Sequence, residues 1–147
     1  MLPELLSTGD LPDGVHRATL EDVIERFGTT TPQRRIVAER LTRIVGIAEA
    51  TECLERFVIF GSFVTAKPDP DDVDIFMIMD DRFSAASLSR DVGILFDHGA
   101  AQAVFGASVF WMRRLATMGN EQGTVEYWQV TRGPGSRGIV EIILEAP

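Results

Sequence analysis

The chain has 147 residues, of which 45% are hydrophobic, so it is long enough to bury the core of a single domain spanning residues 1–147. Its 22 acidic and 14 basic residues give a net charge of −8, which argues against a general nucleic-acid-binding protein with a broad basic face. The single cysteine, Cys53, excludes a disulfide framework and a zinc site built from cysteines.

The N-terminal segment predicts no targeting signal. Residues 1–14 contain neither a basic segment nor a long apolar segment, so we expect no signal peptide. No apolar run approaches the roughly 20 residues that a membrane helix requires. We therefore expect a cytoplasmic protein without a membrane segment.

The N-terminal third predicts an arm followed by two helices. Residues 1–18 are rich in Pro, Gly and Asp and are expected to form an extended arm over the domain. Thr19 resembles the first residue of a capping box, and the helix that follows should end at Gly28. Thr31, followed by Pro32, is the N-cap signal of a second, amphipathic helix of about five turns.

Arginines cluster on the second helix. Its apolar positions recur at helical spacing and indicate one buried face: Val37, Leu41, Ile44, Val45 and Ala48. Four arginines lie mostly off that face: Arg34, Arg35, Arg40 and Arg43. A cluster of this kind could meet phosphate or an acidic partner. We expect instead a solvated face with salt bridges to Glu39 and Glu49.

Short apolar runs predict β-strands at residues 57–60, 73–79 and 108–112. The run at 73–79 is apolar on both faces, which is typical of a central strand covered on both sides. Between it and the third strand, residues 85–105 are mainly helical in composition. Ser84 is the expected N-cap of this helical segment, and Gly93 is expected to divide it.

The C-terminal third predicts a short helix and a hairpin. The helix covers residues 113–118 and should end at Gly119. Residues 125–131 and 139–144 read as two strands, and the Gly- and Pro-rich segment 132–137 reads as the loop between them. The expected fold is α/β (α+β): a mixed β-sheet flanked by helices, with an N-terminal helical extension and a C-terminal β-hairpin.

The stretch from residue 57 to residue 79 carries the candidate chemistry. Asp72 and Asp74 lie two residues apart at the start of a buried strand, so both carboxylates point to one side. Their mutual repulsion and burial would be offset by Mg²⁺, which binds one or two carboxylates together with substrate phosphates. Gly61 lets the backbone approach a ligand closely, and Ser62 could hold a triphosphate if it opens a helix.

Thr65 and Lys67 are further candidates for the same phosphates. Gly61-Ser62, nine residues, and then Asp72-x-Asp74 after an apolar strand resembles the signature of the nucleotidyltransferase superfamily related to DNA polymerase beta. The segment FGSFVTAKPDPDDVDIF is also similar to the minimal nucleotidyltransferases found beside HEPN-type toxins. The N- and C-terminal segments resemble those of a small bacterial family described only as a nucleotidyltransferase-like domain of unknown function.

The resemblance implies a nucleotidyltransferase-like fold and a role for each motif residue. Gly61, Ser62, Thr65 and Lys67 would bind the nucleotide, with Ser62 on its phosphates. Asp72 and Asp74 would be the catalytic residues and would ligate Mg²⁺ or Mn²⁺. The reaction would transfer a nucleoside monophosphate from a triphosphate, ATP above others, to a hydroxyl of a protein, small molecule or RNA.

The sequence departs from the family pattern at three points. Thr65-Ala66 stands where minimal members often have Arg-Gly. The active superfamily usually has a third carboxylate on a later strand, and Ser108 occupies that place here. Glu126 and Glu141 are alternatives, although an edge-strand glutamate usually points to solvent. A chain of 147 residues is also too short to include the usual second domain, so we expect a partner or a homodimer interface to supply its contacts.

These departures leave two other hypotheses open. One is a catalytically degenerate fold that acts as an interaction module, such as the antitoxin-like half of a toxin–antitoxin pair. The other is a domain in which Asp72 and Asp74 only terminate a loop. Further residues could serve the site, but we expect other roles for them. Asp97-His98 is expected to be a capped or solvent-facing pair in the middle of a helix. Trp111 and Trp128 are expected to pack in the core, and Arg132 and Arg137 to be exposed charges of the hairpin.

Overall fold

The computed structural model describes residues 2–131 and 135–144. Its centre is a five-stranded mixed β-sheet with the strand order β1-β5-β2-β3-β4. The strands are β1 (Val15–Ala18), β2 (Leu54–Phe60), β3 (Val73–Met79), β4 (Ala107–Arg113) and β5 (Ile139–Ile142). Helices flank the sheet, so the expected mixed α/β architecture is confirmed.

The directions of the strands bring the residues of the candidate motif together at one end of the sheet. β3 and β4 are parallel, whereas β2 is antiparallel to β3 and to β5. The end of β2 therefore lies beside the beginnings of β3 and β4. Phe60 pairs with Asp74, and Asp74 pairs with Ser108 on the other side. The motif residues of three strands converge at this edge.

The main hydrophobic core lies between one face of the sheet and four helices. These are α1 (Leu20–Phe27), α2 (Pro32–Ala50), α3 (Arg90–Gly93) and α4 (His98–Phe105). The helices and the sheet bury apolar side chains against one another, including Val37, Leu41, Phe57, Ile75 and Met77. As the sequence predicts, β3 is apolar on both faces.

A smaller core covers the opposite face of the sheet. Val58, Phe76 and Ile78 point to this side and pack near Val125 of α5 (Glu121–Glu126). Trp128, in the 3-10 turn Tyr127–Gln129, also packs against this cluster. Because side chains alternate along a strand, Asp74 lies on the same face as Phe76 and Ile78.

Both N-terminal helix caps follow the sequence prediction. Thr19 accepts a hydrogen bond from the backbone N–H of Asp22, whose carboxylate accepts one from the N–H of Thr19. Asp22 therefore completes the capping box in place of Glu or Gln. Thr31 caps α2 by accepting from the N–H of Arg34, and Pro32 is the first helical residue.

The expected arm is only partly extended over the domain. Its last four residues form β1, which pairs in parallel with β5 and makes one edge of the sheet. Nearer the N-terminus, Leu11 is buried, and the carbonyl of Gly9 accepts a hydrogen bond from the N–H of Ala66. The arm therefore belongs to the core structure and supports the loop after Ser62.

The predicted C-terminal hairpin is wrong. Residues 121–129 form α5 and a 3-10 turn, while β5 pairs with β1 and β2 in the interior of the sheet. Val125 and Trp128 are three residues apart, a helical spacing that the strand interpretation overlooked. In the described part of this segment, the antiparallel pairing consists of one bridge between Val130 and Ser136. The segment 132–134 lies outside the described residues.

The helical segments on either side of β4 also differ from the prediction. Residues 85–105 comprise the 3-10 turns Ala85–Ser87 and Ile94–Phe96 together with α3 and α4. α4 begins after Asp97, whose side chain accepts from the N–H of Ala100, so a second N-cap divides the segment as well as Gly93. After β4 the chain forms the 3-10 turn Arg114–Thr117.

Candidate functional site

A cavity of about 860 Å³ opens at the edge of the sheet where the motif strands converge. Gly61, Ser62, Asp72, Asp74 and Ser108 line one side of it. This volume lies within the range of small-molecule binding sites. The structure therefore brings together four of the six residues that the sequence nominated for binding or catalysis, together with Ser108.

Gly61 is fitted closely to Asp74. It has a φ of +76°, and a Cβ at this position would overlap the carboxylate of Asp74. Glycine alone permits both the conformation and the approach. Ser62 then begins a single 3-10 turn, Ser62–Val64. A turn this short has little of the macrodipole of a longer helix. What Ser62 offers to a ligand is therefore its own hydroxyl and backbone N–H.

Thr65 and Lys67 lie outside the set of residues that line the cavity. Thr65 is buried, and its hydroxyl donates to the carbonyl of Ser62 at 2.7 Å and accepts from the N–H of Lys67 at 3.2 Å. Thr65 therefore closes the turn after Ser62. The side chain of Lys67 is exposed.

The loop between Gly61 and Asp72 is held by the first turn of α2. The guanidinium of Arg34 donates to the carbonyls of Phe63 at 2.8 Å and Thr65 at 2.7 Å, and also to that of Lys67. Thr31 and Gln33 donate to carbonyls further along the loop, those of Pro68 and Pro70.

Arg34 was expected on a solvated face and is instead 3% exposed. Burial lowers its pKa from the ordinary value, and the charge of Asp69 partly opposes this. The expected ion pairs of the α2 arginines with Glu39 and Glu49 are not formed in the described part of the chain. The sequence signal for Arg34 was its position three residues before Val37 and seven before Leu41, which places it on the buried face of α2.

Ser108 stands on β4 directly beside Asp74, in the place where the sequence resemblance led us to expect a third acid. Its hydroxyl lies 3.3 Å from Oδ2 of Asp72 and 3.1 Å from Oε1 of Gln102. The hydroxyl has one proton, so it donates to one of these oxygens at a time. Within residues 2–131 and 135–144, no group of three His, Cys, Asp or Glu side chains is arranged to hold a metal ion.

The two other candidates for a third acid lie elsewhere. Glu141 is on the interior strand β5, not on an edge, and is 7% exposed. Its carboxylate accepts two hydrogen bonds from Arg56, at 2.9 and 2.6 Å, and this pairing raises the pKa of Arg56. The pair lines a second, smaller cavity together with Glu121. Glu126 is exposed and accepts a hydrogen bond from Gln122.

Aromatic rings line another side of the main cavity. Phe60, Phe110, Trp128 and His98 all border it. The ring of His98 lies 4.9 Å from that of Phe110, and its Nδ1 lies 3.2 Å from the carbonyl of Val109. His98 is the first residue of α4 rather than a mid-helix residue. Trp111 is on the opposite face, where Nε1 donates to the carbonyl of Phe96.

The third side of the cavity comes from the segments around residues 10 and 136. Arg137 lines the cavity, is half-buried, and lies 3.4 Å from the carboxylate of Asp10. Ser136 also borders it and donates to Asp13. Arg137 is therefore not an exposed hairpin charge. Arg132 lies outside the described residues.

Together these features define an α/β fold with an acidic cleft of small-molecule size. The chain belongs to a family of unknown function, DUF6932, which matches residues 3–143. No curated protein and no solved structure matches the chain. In the described residues, none of the helices combines the length and apolarity needed to cross a membrane.

Proposed function

We propose that the protein is a Mg²⁺-dependent nucleotidyltransferase, which transfers a nucleoside monophosphate from a triphosphate to an acceptor hydroxyl. The observation that carries the proposal is the meeting of Gly61-Ser62 and Asp72-x-Asp74 in one cavity. The two halves of the motif lie at the ends of different strands and line the same cavity. A loop terminated by acids for structural reasons alone would not require the close fit of Gly61 to Asp74.

The residues fit one Mg²⁺ ion shared with a triphosphate. Mg²⁺ takes oxygen ligands, commonly one or two carboxylates, with waters and phosphate oxygens at the remaining positions. Asp72 and Asp74 would supply the carboxylates. The bound ion would neutralise charge on the phosphates as the leaving group departs. A second ion with its own carboxylate does not fit, because Ser108 stands in the third position.

The protein's own groups would position the reactants. The Ser62 hydroxyl would hold the phosphates, and the loop fixed by Arg34 would keep Ser62 in place. The acceptor oxygen would attack the α-phosphorus, the bond to pyrophosphate would break, and the acceptor proton would pass to water. The contribution of the protein is orientation and charge, not a covalent intermediate.

Calorimetric titration with ATP, GTP, CTP and UTP in the presence of Mg²⁺ tests the proposal. We expect at least one triphosphate, ATP first, to bind, and we expect Asp72→Asn and Asp74→Asn each to weaken binding at least tenfold. Asp71→Asn is the matched control, since Asp71 is adjacent, exposed and outside the cavity lining. Absence of binding to all four triphosphates would contradict the proposal.

The serine at position 108 favours a second candidate function. Without a third acid, the fold could serve as an interaction module, such as an antitoxin-like partner, that binds a protein rather than turning over nucleotide. Pyrophosphate release from labelled nucleotide that depends on both Asp72 and Asp74 would exclude this alternative. A stable complex with another protein, unchanged by Asp72→Asn and Asp74→Asn, would support it.

A further inference from the structure

The cavity has an aromatic wall next to its acidic side. Three sheet or turn residues and one helix residue form it: Phe60, His98, Phe110 and Trp128. Phe60 directly precedes Gly61. Phe110 lies two residues after Ser108 on β4, so their side chains share a face about 7 Å apart along the strand.

The rings of this aromatic wall are in mutual contact. Ring centroids are 4.7 Å apart for Phe60 and Trp128, 5.1 Å for Phe110 and Trp128, and 4.9 Å for His98 and Phe110. The carbonyl of Val109 can only accept a hydrogen bond, so it holds the His98 ring through Nδ1–H. The wall is therefore a preformed surface for a flat ligand.

Packing within the protein explains only part of the aromatic wall. Trp128 stacks on the buried ring of Phe76 at 4.8 Å and covers this face of the sheet. Phe110, by contrast, is 39% exposed although it lies on a strand, and His98 is exposed as well. Exposed aromatic surface inside a concave site is the usual feature of a pocket that binds an apolar or planar group.

The position of the wall relative to the acids indicates which group it receives. In the proposed function, the triphosphate lies against Ser62, Asp72 and Asp74. A ribose separates the phosphates of a nucleotide from its base, so the base must lie some distance to one side. Phe110 is displaced to one side of Ser108 along β4, as the base would be from the phosphates. Every base has a flat face that can stack on an aromatic side chain, whatever the identity of the base.

We propose, on the basis of the proposed function, that the aromatic wall binds the base of the nucleotide. Phe110 and His98 provide the stacking surface, and Trp128 and Phe60 support it from behind. The chain would then hold both the phosphates and the base within one domain. No second domain or partner subunit is needed for the base, contrary to the expectation from the sequence.

The experiment compares ATP with inorganic tripolyphosphate, each titrated calorimetrically in the presence of Mg²⁺. The wild-type protein should bind ATP about tenfold or more tightly than tripolyphosphate, because only ATP carries a base. Phe110→Leu should remove most of this preference and leave the tripolyphosphate affinity unchanged. Leu115→Ala is the control, since Leu115 is 77% exposed and outside the cavity lining.

His98→Ala provides a second variant at an exposed position and should also reduce the preference for ATP. Circular dichroism establishes that each variant is folded. Equal affinities of the wild-type protein for ATP and tripolyphosphate would overturn the inference and leave the proposed function standing. An undiminished preference in both Phe110→Leu and His98→Ala would do the same. Failure of the wild-type protein to bind tripolyphosphate and all four nucleoside triphosphates would overturn the proposed function, and the inference with it.

Discussion

The carboxylate of Asp74 lies against the backbone of Gly61 and occupies the space that a Cβ of residue 61 would need. The two residues belong to the two halves of the motif, at the end of β2 and near the beginning of β3. Phe60 pairs with Asp74 across these antiparallel strands, so Gly61 is the residue next to the partner of Asp74. The position of the Asp74 carboxylate in the cavity therefore depends on residue 61 being glycine.

Gly61→Ala should disrupt the site. The new methyl group would collide with Asp74, and the positive φ of residue 61 would be strained, so we expect a loss of about 2–4 kcal/mol in the free energy of unfolding. Triphosphate binding should fall with it. Thermal denaturation and calorimetry measure the two effects.

Gly46→Ala is the matched control for the glycine substitution. Gly46 lies within α2, and an added Cβ would meet no atom within 4 Å. Alanine should therefore stabilise the helix by about 0.5–1 kcal/mol. Destabilisation by Gly46→Ala, or a Gly61→Ala protein as stable as wild type, would contradict the account given for these glycines.

Arg34→Lys should loosen the loop between Gly61 and Asp72. Lysine retains the charge but lacks the planar fork of donors, so several buried carbonyls would lose their hydrogen bonds. We expect a destabilisation of about 2–4 kcal/mol and weaker triphosphate binding, both measured against Arg35→Lys. Arg35 is the exposed neighbour on the same helix. Equal effects of the two substitutions would show that the loop does not depend on Arg34.

Glu141→Gln should affect stability and not ligand binding. Glu141 and Arg56 form a largely buried pair, with side chains 10% and 17% exposed. Removing the negative charge leaves the Arg56 guanidinium without its main partner, at a cost of about 3 kcal/mol. Denaturant unfolding measures this loss, while Mg²⁺–triphosphate affinity should be unchanged. A loss of affinity in folded Glu141→Gln would instead identify Glu141 as a metal ligand.

Ser108→Asp should create the missing third carboxylate. Without divalent metal, the new charge would repel Asp72 and Asp74 and lower the melting temperature. With Mg²⁺ or Mn²⁺ the order should reverse, because a three-carboxylate site binds the ion more tightly and binding stabilises the folded state. Ser108→Asn, uncharged and of the same size, is the control. Identical responses of the Asp and Asn variants to metal would argue against a metal site beside Ser108.

Local signals in the sequence predicted the elements around the motif well. The Gly-Ser and Asp-x-Asp spacing, the two helix caps and the two-sided apolar pattern of β3 depend on neighbouring residues, and the structure confirms the caps and the strand. Asp74 and Ser108 were expected on separate strands near one another, and they are register partners.

Long-range pairing was not readable in the same way. Arg34 contacts carbonyls roughly thirty residues away. Its spacing from Val37 and Leu41 places it on the buried face of α2, but the helix sequence does not identify the loop that accepts its hydrogen bonds. Residues 125–131 are rich in residue types that favour strands, although Val125 and Trp128 pack as helical neighbours. The aromatic wall was not predicted for the same reason, because Trp128 contacts Phe110 from a 3-10 turn and not from a strand.

The sheet order has a consequence for how the protein is made. β5 lies between β1 and β2, so the last strand in sequence joins the first strand to the remainder of the sheet. Until residues 139–142 leave the ribosome, β1 has no strand to pair with, and the inner edge of β2 is open. We expect nascent chains that stop before residue 139 to stay protease-sensitive at their N-terminal arm, however complete the motif cavity is in sequence.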